Sequence, residues 1–268
     1  MAADRTPGFQ GTAPTAPSPT FQARGTRDRP LVALESVIGT DDRVEVPDPQ
    51  NAPWRMVCAL NIVAQNGGTL PGTGWLAGPR TVITAGHCVF DPATLLGFAL
   101  SIDVTPGRNG ASMPFGQVTA TRFRTLQPWF DSQDPDFDIG AISLDTNLGN
   151  QVGFFPAEAR PAGELQEHLA HISGYPRNPG HGVAQFHHRN RITSLTDRRL
   201  FYDVDTSEGQ SGAPVWVLDV DGGSPIVVGV HTYGDERTPP ALQPANSATL
   251  VNPAILAQIR AWIAEDST

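Results

Sequence analysis

Cysteine is scarce: Cys58 and Cys88 are the only two thiols in 268 residues. Two thiols suit ordinary core positions in a chain of this size. Charge is sparse as well. Charged residues make up 17% of the chain, and the balance of −9 leaves no basic footprint for nucleic acid. Solubility accounts for the acidity. No apolar run is long enough to cross a bilayer, and residues 1–30 lack the apolar core of a signal peptide. Export would need a signal outside these residues or another route. Helical periodicity is missing from most of the chain.

Glycine and proline, by contrast, are abundant, at 27 and 25 residues. Between them lie short runs rich in β-branched and aromatic residues, which is an all-β pattern. Residues 1–35 read as a disordered extension, because their Ala, Thr, Pro and Gly offer little to bury. From there strands are expected at 57–63, 81–84, 98–104, 117–123, 139–144, 168–173, 184–188, 200–204, 213–218, 226–231 and 248–251. That spacing suits a sandwich or a pair of barrels. The chain then changes period. Asn252-Pro253 reads as an N-cap and first-turn proline, and Ile255, Leu256, Ile259, Trp262 and Ile263 share one helical face.

Three segments carry chemistry. In Asp205-Thr-Ser-Glu-Gly-Gln-Ser-Gly-Ala-Pro-Val215, Ser211 sits in a small-residue loop. Such a loop exposes a hydroxyl and can aim the backbone N–H groups of Gly209 and Ser211 at an oxyanion. A serine hydroxyl needs a base, and Thr84-Ala85-Gly86-His87-Cys88 supplies one after an apolar strand. Asp134, Asp136 and Asp138 follow. Asp138 is the expected orienting acid, because it directly precedes the apolar strand that would desolvate it. The order His87, Asp138, Ser211 differs from the subtilisin and α/β-hydrolase orders. The remaining histidines show no tight ligand spacing, and no metal or other cofactor is expected. His187 and His188 should point to opposite faces of a strand.

Thr84–Cys88, Asp138-Ile-Gly-Ala-Ile142 and Gly209–Val215 closely resemble the bacterial glutamyl endopeptidases, a branch of the chymotrypsin-fold serine proteases. The likeness extends to Val37–Arg43, Pro106–Gly110, Asp145–Gly153, Ser173–Pro176 and Gly229–His231, and so covers nearly all of 36–268. It implies two antiparallel six-stranded β-barrels, at 36–150 and 151–268, the second followed by the C-terminal helix. It also implies a disulfide between Cys58 and Cys88, and hence an oxidising, extracytoplasmic location. The expected protein is a monomeric endopeptidase acting on peptides or proteins, with no nucleic-acid or membrane partner.

Specificity has two readings. Asp205 stands six residues before Ser211, where trypsin carries the acid that binds Lys or Arg. Against it, Thr206 and His231 match the pair that glutamyl endopeptidases use for a substrate carboxylate, and a hydroxyl and an imidazole can both donate to one. The second reading is favoured. Gln210 replaces the aspartate that in trypsin pairs with a new terminal amine, so activation must differ. Glu35 precedes Ser36-Val37, the family-like start, so a Glu-specific enzyme could process itself there and 1–35 would be a propeptide. A protease-fold binding or toxin-like module with little catalysis is the remaining alternative.

Overall fold

The computed structural model describes residues 8–12, 36–166, 168–219 and 223–268. The short apolar runs pair as antiparallel strands. They are β1 (Gly8–Thr12), β2 (Val44–Glu45), β3 (Val57–Val63), β4 (Thr69–Leu76), β5 (Thr81–Thr84), β6 (Phe90–Asp91), β7 (Gly97–Phe98), β8 (Ser101–Pro106) and β9 (Val118–Ala120). There follow β10 (Arg122–Leu126), β11 (Gly140–Ser143), β12 (Leu169–Gly174), β13 (Phe186–Leu195), β14 (Arg199–Tyr202), β15 (Pro214–Leu218), β16 (Pro225–Tyr233) and β17 (Asn246–Leu250).

The first sheet runs β1-β10-β11-β5-β4-β3-β8-β9. Only Thr121 separates β9 from β10. The two therefore act as one bent strand and roll the sheet into a barrel of six, with β1 added at the edge. The second sheet, β12-β15-β16-β17-β14-β13, closes through direct β12–β13 pairing. The expected pair of six-stranded barrels is what these residues form. Trp75, Phe155 and Trp216 stack edge-on and tilted at 6.2 and 5.7 Å, and lie in one continuous buried cluster.

Three departures matter. Within the extension expected to be disordered, Gly8–Thr12 pairs with β10, Gly8 opposite Leu126 and Thr12 opposite Arg122. An open strand edge offers unpaired backbone groups, so this pairing needs no apolar side chain. The rest of 1–35, Glu35 included, lies outside the described residues. Second, the arm 36–45 belongs to the second barrel, since β2 pairs with β13 (Phe186 opposite Glu45). Third, the C-terminal helix Pro253–Asp266 packs on β5 and β11 of the first barrel. The Asn252 side chain caps it by accepting from the Ile255 N–H at 3.0 Å. Ile255, Ile259 and Trp262 are buried, each burial stabilising by about 1.5–3 kcal/mol.

Candidate active site

Ser211 lies in the loop between β14 and β15, and glycine makes that loop possible. Gly209 and Gly212 have φ of +100° and +87°, a region that favours glycine. A Cβ on Gly212 would fall 2.1 Å from Thr84 Oγ1 and 2.8 Å from the Ala85 nitrogen. The loop is thus pressed onto the segment that carries His87. Two more contacts fix this: the Thr73 N–H donates to the Ser211 carbonyl at 2.9 Å, and the Cys88 thiol donates to the same oxygen at 3.7 Å.

The peptide before Gly209 is held as well. The Arg177 N–H donates to the Glu208 carbonyl. A trans peptide points its N–H away from its carbonyl, so the Gly209 N–H is aimed to the opposite side. It meets no acceptor among the described residues. This is the geometry of a donor kept ready for a developing oxyanion.

His87 is the second residue of a single helical turn, Gly86–Val89, after β5, and Asp138 follows the short 3-10 turn Pro135–Phe137. Asp138 is fully buried and grips His87 twice. Oδ1 accepts the His87 main-chain N–H at 2.9 Å, and Oδ2 faces Nδ1 at 2.8 Å. Gly86 permits this approach, since a Cβ there would sit 2.9 Å from Asp138 Oδ1. The imidazole stacks on Tyr233 at 5.9 Å and tilts against Trp129 at 6.2 Å. Burial disfavours its charge, but the Asp138 carboxylate outweighs that and holds the His87 pKa well above the ordinary value. For Asp138 burial acts upward, and the His87 charge and hydrogen bonds prevail, holding it low. His87 Nε2 is buried and makes no hydrogen bond to a described residue. The Ser–His bond is therefore not closed, as is common before substrate arrives.

Thr206 and His231 share one hydrogen-bonded neighbourhood. The Tyr202 hydroxyl contacts His231 Nδ1 at 2.6 Å, and Asn246 lies opposite Tyr202 across the sheet. Asn246 Nδ2 donates to the Ser36 carbonyl at 2.6 Å, and the Thr206 N–H donates to that same oxygen at 3.2 Å. The Thr206 hydroxyl is buried and has no partner among the described residues. Burial, and next the nearby His87 charge, push the His231 pKa down to about 3. Ser36, at the expected processing point, donates its N–H to Asn246 Oδ1 and bonds Asp235 through its hydroxyl, while Val37 is exposed.

One alternative loses support and one expectation is corrected. Asp205, the acid of the disfavoured specificity reading, is buried, and its carboxylate oxygens accept the N–H groups of Ile38 at 2.7 Å and Asp42 at 3.0 Å. Its charge is spent on holding the arm. Cys58 and Cys88 are free buried thiols, not a disulfide. Cys58 pairs across the sheet with Gly74, whereas Cys88 lies beside Gly72, the partner of Leu60. The bridging partner of Cys88 would have to sit at position 72.

Several participants escaped the sequence reading. Tyr202, Asn246, Tyr233 and Arg43 carry no motif of their own, although Arg43 ends the family-like segment Val37–Arg43. His171 and His187, read separately, meet at 3.2 Å between Nδ1 and Nε2 and stack on Trp216. Their strands are neighbours, which spacing in the sequence does not reveal.

The trypsin-like peptidase domain family matches residues 72–230. The chain is 37% identical to a glutamyl endopeptidase of Bacillus licheniformis over 75% of its length, and spans 62% of that longer protein. It is 32% identical to a protein of Bacillus subtilis named an extracellular metalloprotease, over 84% of this chain and 72% of that one. A solved Glu endopeptidase superposes with a TM-score of 0.73 at 27% identity, over 85% of this chain and 99% of that one.

Among the described residues one trio could ligate a metal, Asp42, His188 and Asp205. Asp205 is tied to the arm, and His188 Nδ1 accepts the Asp205 N–H at 2.8 Å, so two of the three side chains already have partners. The two barrels and the matched domain agree: the chain belongs to the trypsin-like peptidase family.

Proposed function

We propose that the chain is a serine endopeptidase that cuts after glutamate through an acyl-enzyme. The observation that carries this reading is the doubly gripped His87–Asp138 pair pressed against the Ser211 loop. His87 takes the Ser211 proton as Oγ attacks the scissile carbonyl. The oxyanion forms toward the N–H groups of Gly209 and Ser211, and Asp138 stabilises the imidazolium. His87 then protonates the leaving amine. Water repeats the sequence on the ester and frees the enzyme.

Glutamate is favoured by what faces the substrate side chain. With the Tyr202 hydroxyl donating to Nδ1, His231 carries its proton on Nε2, where a carboxylate can accept it. The Thr206 hydroxyl supplies a second donor. Asp205, the acid that a trypsin-like pocket would offer to Lys or Arg, is committed to the arm. Cleavage after Glu35 would turn the Ser36 N–H into an ammonium beside Asp235 and within the Thr206 neighbourhood. That adds a positive charge where a carboxylate binds. We place the protein outside the cytoplasm on the kinship with an extracellular relative, since the free thiols no longer argue for it.

A fluorophosphonate probe tests the reaction class. Intact-mass analysis should show one adduct, mapped to Ser211 and absent in Ser211→Ala. No adduct, with or without residues 1–35, would favour a protease-fold binding module.

A further inference from the structure

We propose that Arg43 is the positioning residue that holds the oxyanion loop, and that it does through Gln210 what an ion pair at a terminal amine does in trypsin. The inference rests on reading Ser211 as the nucleophile, and it is independent of which side chain the enzyme prefers.

The Arg43 side chain is only 3% exposed. Its guanidinium is forked onto Asp41, Nε to Oδ1 at 2.8 Å and Nη2 to Oδ2 at 2.7 Å. The remaining donors reach the loop that ends in Ser211. Nη1 donates to Gln210 Oε1 at 2.9 Å and to Ser207 Oγ, and Nη2 donates to the Asn178 carbonyl at 3.2 Å. Gln210 is fully buried, and its Oε1 also accepts the Ser207 N–H at 3.0 Å. Ser207 Oγ in turn donates to the Asn178 carbonyl at 2.8 Å.

The consequence is geometric. Gln210 lies between Gly209 and Ser211, the two residues whose N–H groups serve the oxyanion. One guanidinium fixes the turn 207–210 from inside while Arg177 fixes the Glu208 carbonyl from outside. A planar fork with five donors can bridge Asp41, Ser207, Gln210 and Asn178 together, whereas an ammonium cannot match that geometry. Asp205 anchors the same arm two residues before the turn, through the N–H groups of Ile38 and Asp42. The contacts that the arm makes with this loop come from Ile38, Asp42 and Arg43, not from a terminal amine. The clamp therefore forms in the chain that still carries 1–35. Processing after Glu35 then acts on the pocket for the substrate side chain and leaves the oxyanion site as it is.

The test compares wild type with Arg43→Met, Arg43→Lys and Gln210→Met, the last leaving the Arg43–Asp41 pair in place. Losing one oxyanion donor costs about a hundredfold to a thousandfold in kcat, so loosening both should lower kcat by roughly tenfold to a hundredfold. KM should stay within roughly threefold, and affinity for a peptide boronate should fall with kcat. Lysine should recover only part of the loss. Fluorophosphonate should label Ser211 in the unprocessed wild type, and more slowly in the variants. Full kcat in folded Arg43→Met, or a change confined to melting temperature or KM, overturns the proposal. Should Arg43→Met not fold, Gln210→Met decides by the same readouts. No labelling of wild type in either form would remove the serine-protease reading itself, whereas equal labelling of wild type and variant removes this inference alone.

Discussion

Asp138 holds His87 at two points, the ring Nδ1 at 2.8 Å and the main-chain N–H at 2.9 Å, so the acid fixes both the tautomer and the place of the base. Asp138→Asn should keep the fold and lower kcat by about 10⁴-fold, because the amide favours the wrong tautomer. The carboxylate also raises the His87 pKa. Activity, which needs neutral His87, should fall as pH drops through that raised value. In Asp138→Asn the falling limb should move to lower pH. A kcat/KM profile across pH 5 to 9 checks both statements.

Acid should weaken the fold through three other histidines. Burial, as the largest cause, depresses His171 to about 4, and His187 and His231 to about 3. Unfolded histidine takes its proton near pH 6.5, at about its free value. Between that pH and 4 the unfolded chain binds more protons than the native one, so unfolding free energy falls as pH falls. His87 acts in the opposite sense: its raised pKa adds stability that is complete below pH ~6.5 and is lost as pH rises through the folded value. Urea titrations at pH 7.5, 6 and 5 should show declining stability below 6. His187→Gln should flatten the slope by about one proton; an unchanged slope would contradict the buried neutral imidazole.

Gly72 stands where a partner for Cys88 belongs. A Cβ at 72 would lie 3.4 Å from Cys88 Sγ, with only the flexible tip of Ile62 closer, at 2.8 Å. Gly72→Cys should form a disulfide with Cys88 under oxidising conditions. Closing a loop of about 15 residues stabilises by about 3 kcal/mol on the chain-entropy model. Thiol titration and urea unfolding with and without reductant check this. Cys58 should remain titratable after unfolding.

Metal removal should leave the rate unchanged, because the chemistry assigned to Ser211, His87 and Asp138 needs none. The measurement is kcat before and after exhaustive chelation, with zinc and calcium added back. A loss restored by one ion would show that the Asp42–His188–Asp205 trio, or donors outside the described residues, takes a cation.

The legible parts of the sequence were those with local signals. Strands at 57–63 and 81–84 lie where the apolar runs place them, and Asn252-Pro253 marks the start of the last helix. β4 was not legible. Pro71, Gly72 and Gly74 read as turn residues, yet they sit in a strand because its neighbours leave no room for a Cβ, Val82 lying 2.7 Å from the one that Gly74 lacks. Close packing, a tertiary fact, dictated glycine there. In the candidate site, Ser211, His87 and Asp138 stand out in the sequence because each lies in a compact motif. The Arg43–Gln210 bond, whose partners stand 167 positions apart, and the His171–His187 contact exist only once the sheets are formed. The Cys58–Cys88 pairing failed for a related reason. Family likeness placed both thiols in the same region, but Cys58 lies on β3 opposite Gly74, whereas the position that faces Cys88 is Gly72 on β4.

The most direct test of the account is cleavage of matched peptides that differ only in the residue before the scissile bond: Glu, Asp, Gln, Arg or Lys. Processed protein should cut after Glu with the highest kcat/KM and after Asp more slowly. Replacing the carboxylate by the Gln amide should reduce the rate by at least about tenfold, the loss of a charge-assisted hydrogen bond. Ser211→Ala should cut none of them. Preferred cleavage after Arg or Lys would contradict the assignment of Thr206 and His231 to the substrate carboxylate and of Asp205 to the arm.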